Sequence, residues 1–134
     1  MASSTIKGYW RQKGSKAATA AVGLQVIQFS FDPTAASASM GKTLPVGAIP
    51  LFAQNIDGGA TGGTNPTVDI GTSGDPDGFA NELDADGATG LINTGALLGT
   101  ELTADTVIYA GVGASAATGG TVTIGVYFIM SDAG

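Results

Sequence analysis

The most regular alternation of apolar and polar residues lies near the end of the chain, over Gly119–Met130. From Val122 onward every second position is a large apolar residue, while threonine, glycine, tyrosine and isoleucine fill the positions between them. Side chains of a β-strand point alternately to its two faces, so a period of two predicts a strand with one buried face. That face is predicted to consist of Val122, Ile124, Val126, Phe128 and Met130.

Four other segments have the character of strands. Residues 22–31 carry two overlapping apolar alternations, one ending at Val26 and the next starting at Ile27, and this change of phase predicts a bulge or bend. Residues 44–56 are apolar but contain two prolines and a glycine, which predicts a kinked or edge strand. Residues 67–71 and 105–112 alternate over shorter lengths and predict two short strands.

The segments between these strands are rich in small residues. Residues 34–43 are predicted to be a connection, 57–66 a glycine-rich loop and 73–90 an acidic loop. Residues 91–103 are compatible with one helical turn or with a pair of strands. Residues 113–118 are predicted to be a wide hairpin loop between the last two strands.

Short strands without an amphipathic helix predict an all-β fold. Gly, Ala, Ser and Thr make up half of the 134 residues, a composition that suits thin sheets and tight turns better than long helices. We therefore expect a β-sandwich or jelly-roll-like domain of short antiparallel strands over residues 22–134. Residues 1–21 are expected to form an extended basic N-terminal arm.

The composition excludes most catalytic chemistry. The chain has no His and no Cys, so imidazole bases, thiolate nucleophiles, disulfides and zinc or iron–sulfur sites built from these residues are impossible. No apolar run reaches the roughly 20 residues of a membrane-spanning helix. We expect a protein that is not an enzyme, that needs no cofactor and that has no membrane partner.

An acidic stretch is the one candidate for metal binding. Clusters of carboxylate oxygens are what Ca²⁺ requires, but the spacing here lacks the final Glu of an EF-hand loop. The alternative is a solvated loop with Asp-Pro and Asp-Gly turns, and that interpretation is favoured. The weak metal candidates are Asp75, Asp77, Glu82, Asp84 and Asp86.

Charge is segregated along the chain. All five cations lie in residues 1–42, whereas residues 43–134 contain ten Asp and Glu and no Lys or Arg. The arm also contains the only Trp. Its aromatic residues could stack on nucleic-acid bases. The favoured alternative is that its apolar residues anchor the arm on a protein surface, so we do not expect nucleic acid as a partner. The candidate partner-binding residues are Ile6, Lys7, Tyr9, Trp10, Arg11, Lys13 and Lys16.

The order of several short segments resembles that of a known family. These segments are LPVGAI at 44–49, PTVDIG at 66–71, DPDGF at 75–79, DTVIY at 105–109 and GTVTIGVYF at 120–128. Over roughly residues 20–130 the chain is similar to the small head-decoration, or cement, proteins of tailed bacteriophages. The arm is not matched to the pattern of that family.

The resemblance implies a particular role. Proteins of this family are small β-sandwiches or jelly rolls that sit on the outer surface of the virion, commonly as trimers, and bridge neighbouring major capsid proteins. We therefore expect a capsid decoration protein made in the host cytoplasm, with the major capsid protein and its own copies as partners. The alternatives are another phage structural component, such as a head-fibre or tail base or an adhesion module, and a Ca²⁺-dependent binding module.

Overall fold

The computed structural model describes residues 23–87, 91–92 and 94–131, and these form eight β-strands with no helix among them. The strands are β1 (Gln25–Phe31), β2 (Ala38–Leu44), β3 (Ala48–Thr61), β4 (Thr67–Gly71), β5 (Ala80–Asp84), β6 (Leu91–Ile92), β7 (Thr106–Val112) and β8 (Gly119–Met130). All pairings are antiparallel. The prediction of an all-β sandwich is confirmed.

The strands form two four-stranded sheets. The first sheet has the order β1-β8-β3-β6 and the second has the order β2-β7-β4-β5. Except for the β4–β5 hairpin, each described connection passes from one sheet to the other. The segment 113–118 therefore links β7 in the second sheet to β8 in the first, and the predicted hairpin loop is wrong. A loop of Gly, Ala, Ser and Thr has no feature that distinguishes a hairpin from a crossover.

The core lies between the two sheets, and β8 contributes most of the first sheet's share. Val122, Ile124, Val126 and Phe128 are buried as predicted, while Met130 is partly buried against the same cluster. The second sheet contributes Leu44, Val68, Ile70, Leu83 and Ile108. Two aromatic side chains of β1, Phe29 and Phe31, extend the cluster at the edge of the first sheet.

Strand β3 is kinked, as predicted, but it extends further than expected. Its pairing with β8 shifts between Pro50 and Phe52 and again between Asn55 and Asp57, so two bulges reset which residues face the core. It continues to Thr61, into the predicted glycine-rich loop. It lies between β8 and the short β6 and is therefore not an edge strand.

Strand β1 contains no bulge, contrary to the prediction. Its pairing with β8 is continuous from Gln25 to Phe31. Leu24 and Val26 belong to the solvent-facing side and are 54% and 44% exposed. The first alternation, which ends at Val26, is therefore an apolar outer face, and the second supplies the buried Phe29 and Phe31. The strand ends at Phe31 as expected, where the Asp32 carboxylate accepts bonds from the amide and hydroxyl of Thr34.

Two strands lie in segments predicted as loops. Strand β2 occupies most of residues 34–43, and its pairing with β7 is irregular between Ser39 and Thr43. Strand β5 lies within the acidic stretch, where Phe79 and Leu83 are buried. Residues 91–103 contain the two-residue β6 and a turn, which matches neither predicted alternative.

Candidate interaction surface

The outward face of the first sheet carries aromatic and aliphatic side chains on its three longest strands. The ring of Phe52 on β3 stacks on that of Tyr127 on β8, with centroids 4.6 Å apart. Ile49 pairs with Ile129 in the same two strands. Val26 on β1 lies opposite Tyr127. The face is therefore apolar around Tyr127 and Ile129, and in the next row Gln28 and Gln54 lie opposite Gly125.

Gly125 allows these side chains to converge. It occupies an outward position of β8, where a Cβ atom would lie 2.9 Å from Ile56 Cδ1, 3.0 Å from Val26 Cγ2 and 3.2 Å from an edge carbon of Tyr127. Side chains from three strands thus meet over Gly125, which has no side chain of its own. We call this surface the outer patch, and it consists of Leu24, Val26, Ile49, Phe52, Ile56, Tyr127 and Ile129.

The outer patch is accessible to solvent and bears no Lys, Arg, Asp or Glu. Ile56 is 37% exposed, and Leu24 and Val26 are more so. Contiguous exposed apolar surface is typical of interaction sites, and the outer patch is therefore the candidate site of this fold. Its borders are acidic: Asp57 follows Ile56 and pairs with Thr123, and Glu101 accepts a bond from the hydroxyl of Ser131 just beyond β8. Both carboxylates are exposed.

The outward face of the second sheet is more polar. The carboxylate of Glu82 accepts bonds from the hydroxyl of Thr67 at 2.5 Å and from the amide of Ala114 at 3.0 Å. The amide of Glu82 donates to Asp69 at 2.9 Å, and its φ of 60° is in the left-handed region. This network fixes the loop that leaves β7. Val107 is an exposed apolar residue of β7.

The five metal candidates are not brought together. Asp75 and Asp77 form one pair of neighbouring carboxyls, and a hydrogen bond between them raises the pKa of Asp75. Asp84 and Asp86 form a second pair, and the bond to Asp84 raises the pKa of Asp86. Glu82 is bound to the loop after β7. Within the part of the chain that the structure describes, no three Asp or Glu residues are placed to hold an ion.

Two further polar features lie near the acidic residues. Asn55 is fully buried, its side-chain amide donates to the carbonyl of Asp84 at 2.7 Å, and its Oδ1 has no partner. This contact joins β3 of the first sheet to the end of β5.

A cleft of about 240 Å³ is lined by Asp77, Asn81, Thr94, Gly95 and Ala96. Asp77 is the one ionisable residue of that lining, so the cleft does not pair an acid with a base.

The structure tests the site predictions only in part. The partner-binding candidates from Ile6 to Lys16 lie outside the described residues. Sequence reasoning missed the outer patch, although its signal is visible: the first alternation, which ends at Val26, and the large residues Tyr127 and Ile129 on the unburied side of β8. Among the described residues, no helix is long and apolar enough to cross a membrane.

The fold has a counterpart among solved structures. The chain is similar to a chain in the structure described as the cyanophage Pam1 capsid asymmetric unit, with a TM-score of 0.58 and 18% sequence identity. The alignment covers 93% of this chain and 97% of that chain. A comparison with protein-family models and one with curated proteins gave no match. At this identity the likeness shows a shared fold.

Proposed function

We propose that the protein is a structural component of a phage virion, namely a decoration protein that binds the outer surface of the head and stabilises its lattice. The observation that carries the proposal is the two-way coverage of the alignment with a chain of a phage capsid unit. Both chains are matched over nearly their whole length, so the likeness is between two small proteins of the same size. The segments that resemble phage decoration proteins support the same role.

The surface chemistry suits a lattice-binding protein that is not an enzyme. Binding to a capsid requires a rigid body and a surface that another protein can cover, and it requires no nucleophile or general base. The described residues supply a two-sheet body with an exposed apolar patch. Symmetric association is common among such assemblies, and a homotrimer is the oligomer that we propose.

The partners in this proposal are the major capsid protein and further copies of the chain. The apolar and aromatic residues of the arm, Ile6, Tyr9 and Trp10, are the proposed anchors on the capsid because large aromatic side chains dominate interface energies. The adjacent cations, from Lys7 to Lys16, would contribute orientation and rate more than affinity.

Reconstitution with capsids tests the proposal. The major capsid protein of the phage that encodes this chain is expressed alone, assembled into heads and mixed with the purified protein. We expect the protein to co-sediment with heads, to saturate at a fixed ratio to capsid subunits and to raise the temperature at which heads disrupt. Antibody labelling in electron microscopy should then mark the head surface. Failure to co-sediment with intact heads, or binding without a fixed ratio to capsid subunits, would contradict the decoration role.

A further inference from the structure

We propose that the outer patch is the docking site of this chain's own N-terminal segment, with Ile6, Tyr9 and Trp10 lying across it in the free protein. The proposal concerns the protein before it meets any partner, and it holds whether or not the chain decorates a capsid. The occupant follows from where the segment joins the sandwich, how far it reaches and which charges it carries.

The segment joins the sandwich at the border of the patch. Gly23 precedes Leu24, which is itself a patch residue, and β1 then continues with Val26. Because β1 and β8 are antiparallel, with Gln25 opposite Phe128, the chain enters beside the apolar second half of β8. The segment therefore starts next to the surface that it is proposed to cover.

The length of the segment matches the size of the patch. Twelve residues, mostly small or cationic, separate Trp10 from Gly23. Random-coil statistics give twelve residues a root-mean-square end-to-end distance of about 20 Å. The patch spans β1, β8 and β3, which is two strand spacings or about 10 Å. Tethering at this distance gives an effective concentration in the millimolar range, so the chain's own segment competes well against the segment of another copy.

The charges of the segment and the body are complementary. The described residues contain ten carboxylates and a single cation, Lys42, which lies on β2 of the second sheet. The segment carries Lys7, Arg11, Lys13 and Lys16 and no acidic residue. Asp57 and Glu101 stand at the borders of the patch. Apolar anchors flanked by cations thus match an apolar surface flanked by carboxylates.

Docking has a consequence for assembly. The same anchors are the proposed capsid contacts, so binding to a capsid would move them from one apolar surface to another. The free protein would keep both its patch and its aromatic residues away from water until then.

Trp10 provides a direct readout because it is the only tryptophan of the chain. In the full-length protein we expect blue-shifted emission and weak quenching by acrylamide. Val26→Asp places a charge in the patch and should move the emission to the red and raise the quenching constant several-fold. Val107→Asp is the matched control, since Val107 is 41% exposed against 44% for Val26 but lies on the other sheet. It should leave the emission unchanged.

Three outcomes would overturn the proposal. They are solvent-exposed Trp10 emission in the unmodified protein, an equal response to both Asp variants, and a red shift on dilution in step with dissociation measured by light scattering. The last would assign the patch to another copy's segment. Far-UV circular dichroism checks that the variants fold, and if Val26→Asp does not, Ile56→Thr should give a smaller red shift of the same sign.

Discussion

At the scale of single residues, Gly120 shows how tightly β3 and β8 approach each other. Its φ of 98° is one that side chains rarely adopt, and a Cβ atom would lie 2.0 Å from the carbonyl oxygen of Gly59. The obstruction is backbone and cannot rotate away. The position therefore requires glycine for two independent reasons.

We expect Gly120→Ala to lower the free energy of unfolding by about 2 kcal/mol or more, because the strained φ and the backbone contact add. Gly74→Ala is the control, since nothing lies within 4 Å of its Cβ position and its φ is not in the positive range. That change should be neutral or slightly stabilising. Urea denaturation measures both. Equal effects of the two substitutions would show that Gly120 is not constrained as described.

Phe128 is the largest residue on the buried face of β8, with 4% of its surface exposed. We expect Phe128→Ala to lower the free energy of unfolding by roughly 3–5 kcal/mol, through lost burial and the cavity left behind. Val107→Ala on the exposed side of β7 should change it by less than about 0.5 kcal/mol. A loss below about 1 kcal/mol for Phe128→Ala, in the same denaturant experiment, would contradict its place in the core.

At the scale of elements, the sequence predicts a strand correctly where large apolar residues alternate. It does not predict a strand whose formation depends on tertiary contacts. β8 has the bounds that its alternation predicts, because its large residues occupy every inward position. β2 has a single fully buried residue, Leu44, so its sequence carries little periodicity and its strand state comes from pairing with β7. The bulges of β3 are not visible in sequence because prolines and glycines are compatible with either a bulge or an end.

The candidate surface was predictable in its parts and not in its assembly. The outward apolar residues of β1 and β8 are apparent in the sequence. That β1 and β3 flank β8, and so bring Val26 and Ile56 together over Gly125, depends on a strand order that connects distant segments. A local pattern cannot specify that order.

The bonds of Glu82 join β5 to the loop after β7. Glu82→Gln replaces one accepting oxygen by an NH2 group, which would face the backbone N–H of Ala114 or the hydroxyl of Thr67. We therefore expect the free energy of unfolding to fall by about 1–2 kcal/mol. Hydrogen exchange at Ala114 should accelerate, because a charged acceptor that binds this amide through two oxygens is replaced by a neutral group with one accepting oxygen. The control is Glu101→Gln, where the exposed carboxylate contacts the hydroxyl of Ser131. Unchanged hydrogen exchange at Ala114 would contradict the role of Glu82 in holding the loop after β7.

At the scale of the whole molecule, the acidic body responds to pH. Burial raises the pKa of Asp69, and bonds to neighbouring carboxyls raise the pKa values of Asp75 and Asp86. The folded state therefore binds these protons at a higher pH than the unfolded chain does. Asp32 has the opposite sign, because bonds from Thr34 lower its pKa.

The melting temperature should rise as pH falls from neutral through the raised pKa values, since the folded state takes up protons first. The gain is complete below the ordinary pKa of aspartate. Stability then falls at still lower pH as Asp32 is protonated. Calorimetry over this range measures the curve. The triple variant Asp69→Asn, Asp75→Asn and Asp86→Asn should flatten its rise, and an unchanged rise in that variant would assign the effect to other groups.

Capsid binding by the arm should depend more on its aromatic residues than on its cations. Exposed ion pairs contribute about 0–1 kcal/mol each and weaken with salt, whereas a buried indole contributes more. We expect Trp10→Ala to release the protein from heads more readily than the double change Lys13→Gln and Lys16→Gln. Co-sedimentation at increasing salt measures both. A larger loss from the charge changes would make the arm an electrostatic contact.

The pairing of β1 with β8, which joins the two ends of the sandwich sequence, is expected to slow the folding of the chain. Their paired residues are far apart in sequence, and Ser30 and Thr123, whose hydroxyls are bonded at 2.7 Å, are 93 positions apart. Closing so long a loop costs entropy before the pair contributes stability. Sandwiches with such non-local pairing fold in roughly milliseconds to seconds. Until β1 pairs with it, one edge of β8 is open to the strand edge of another chain, and we expect the refolding yield to fall as the protein concentration rises.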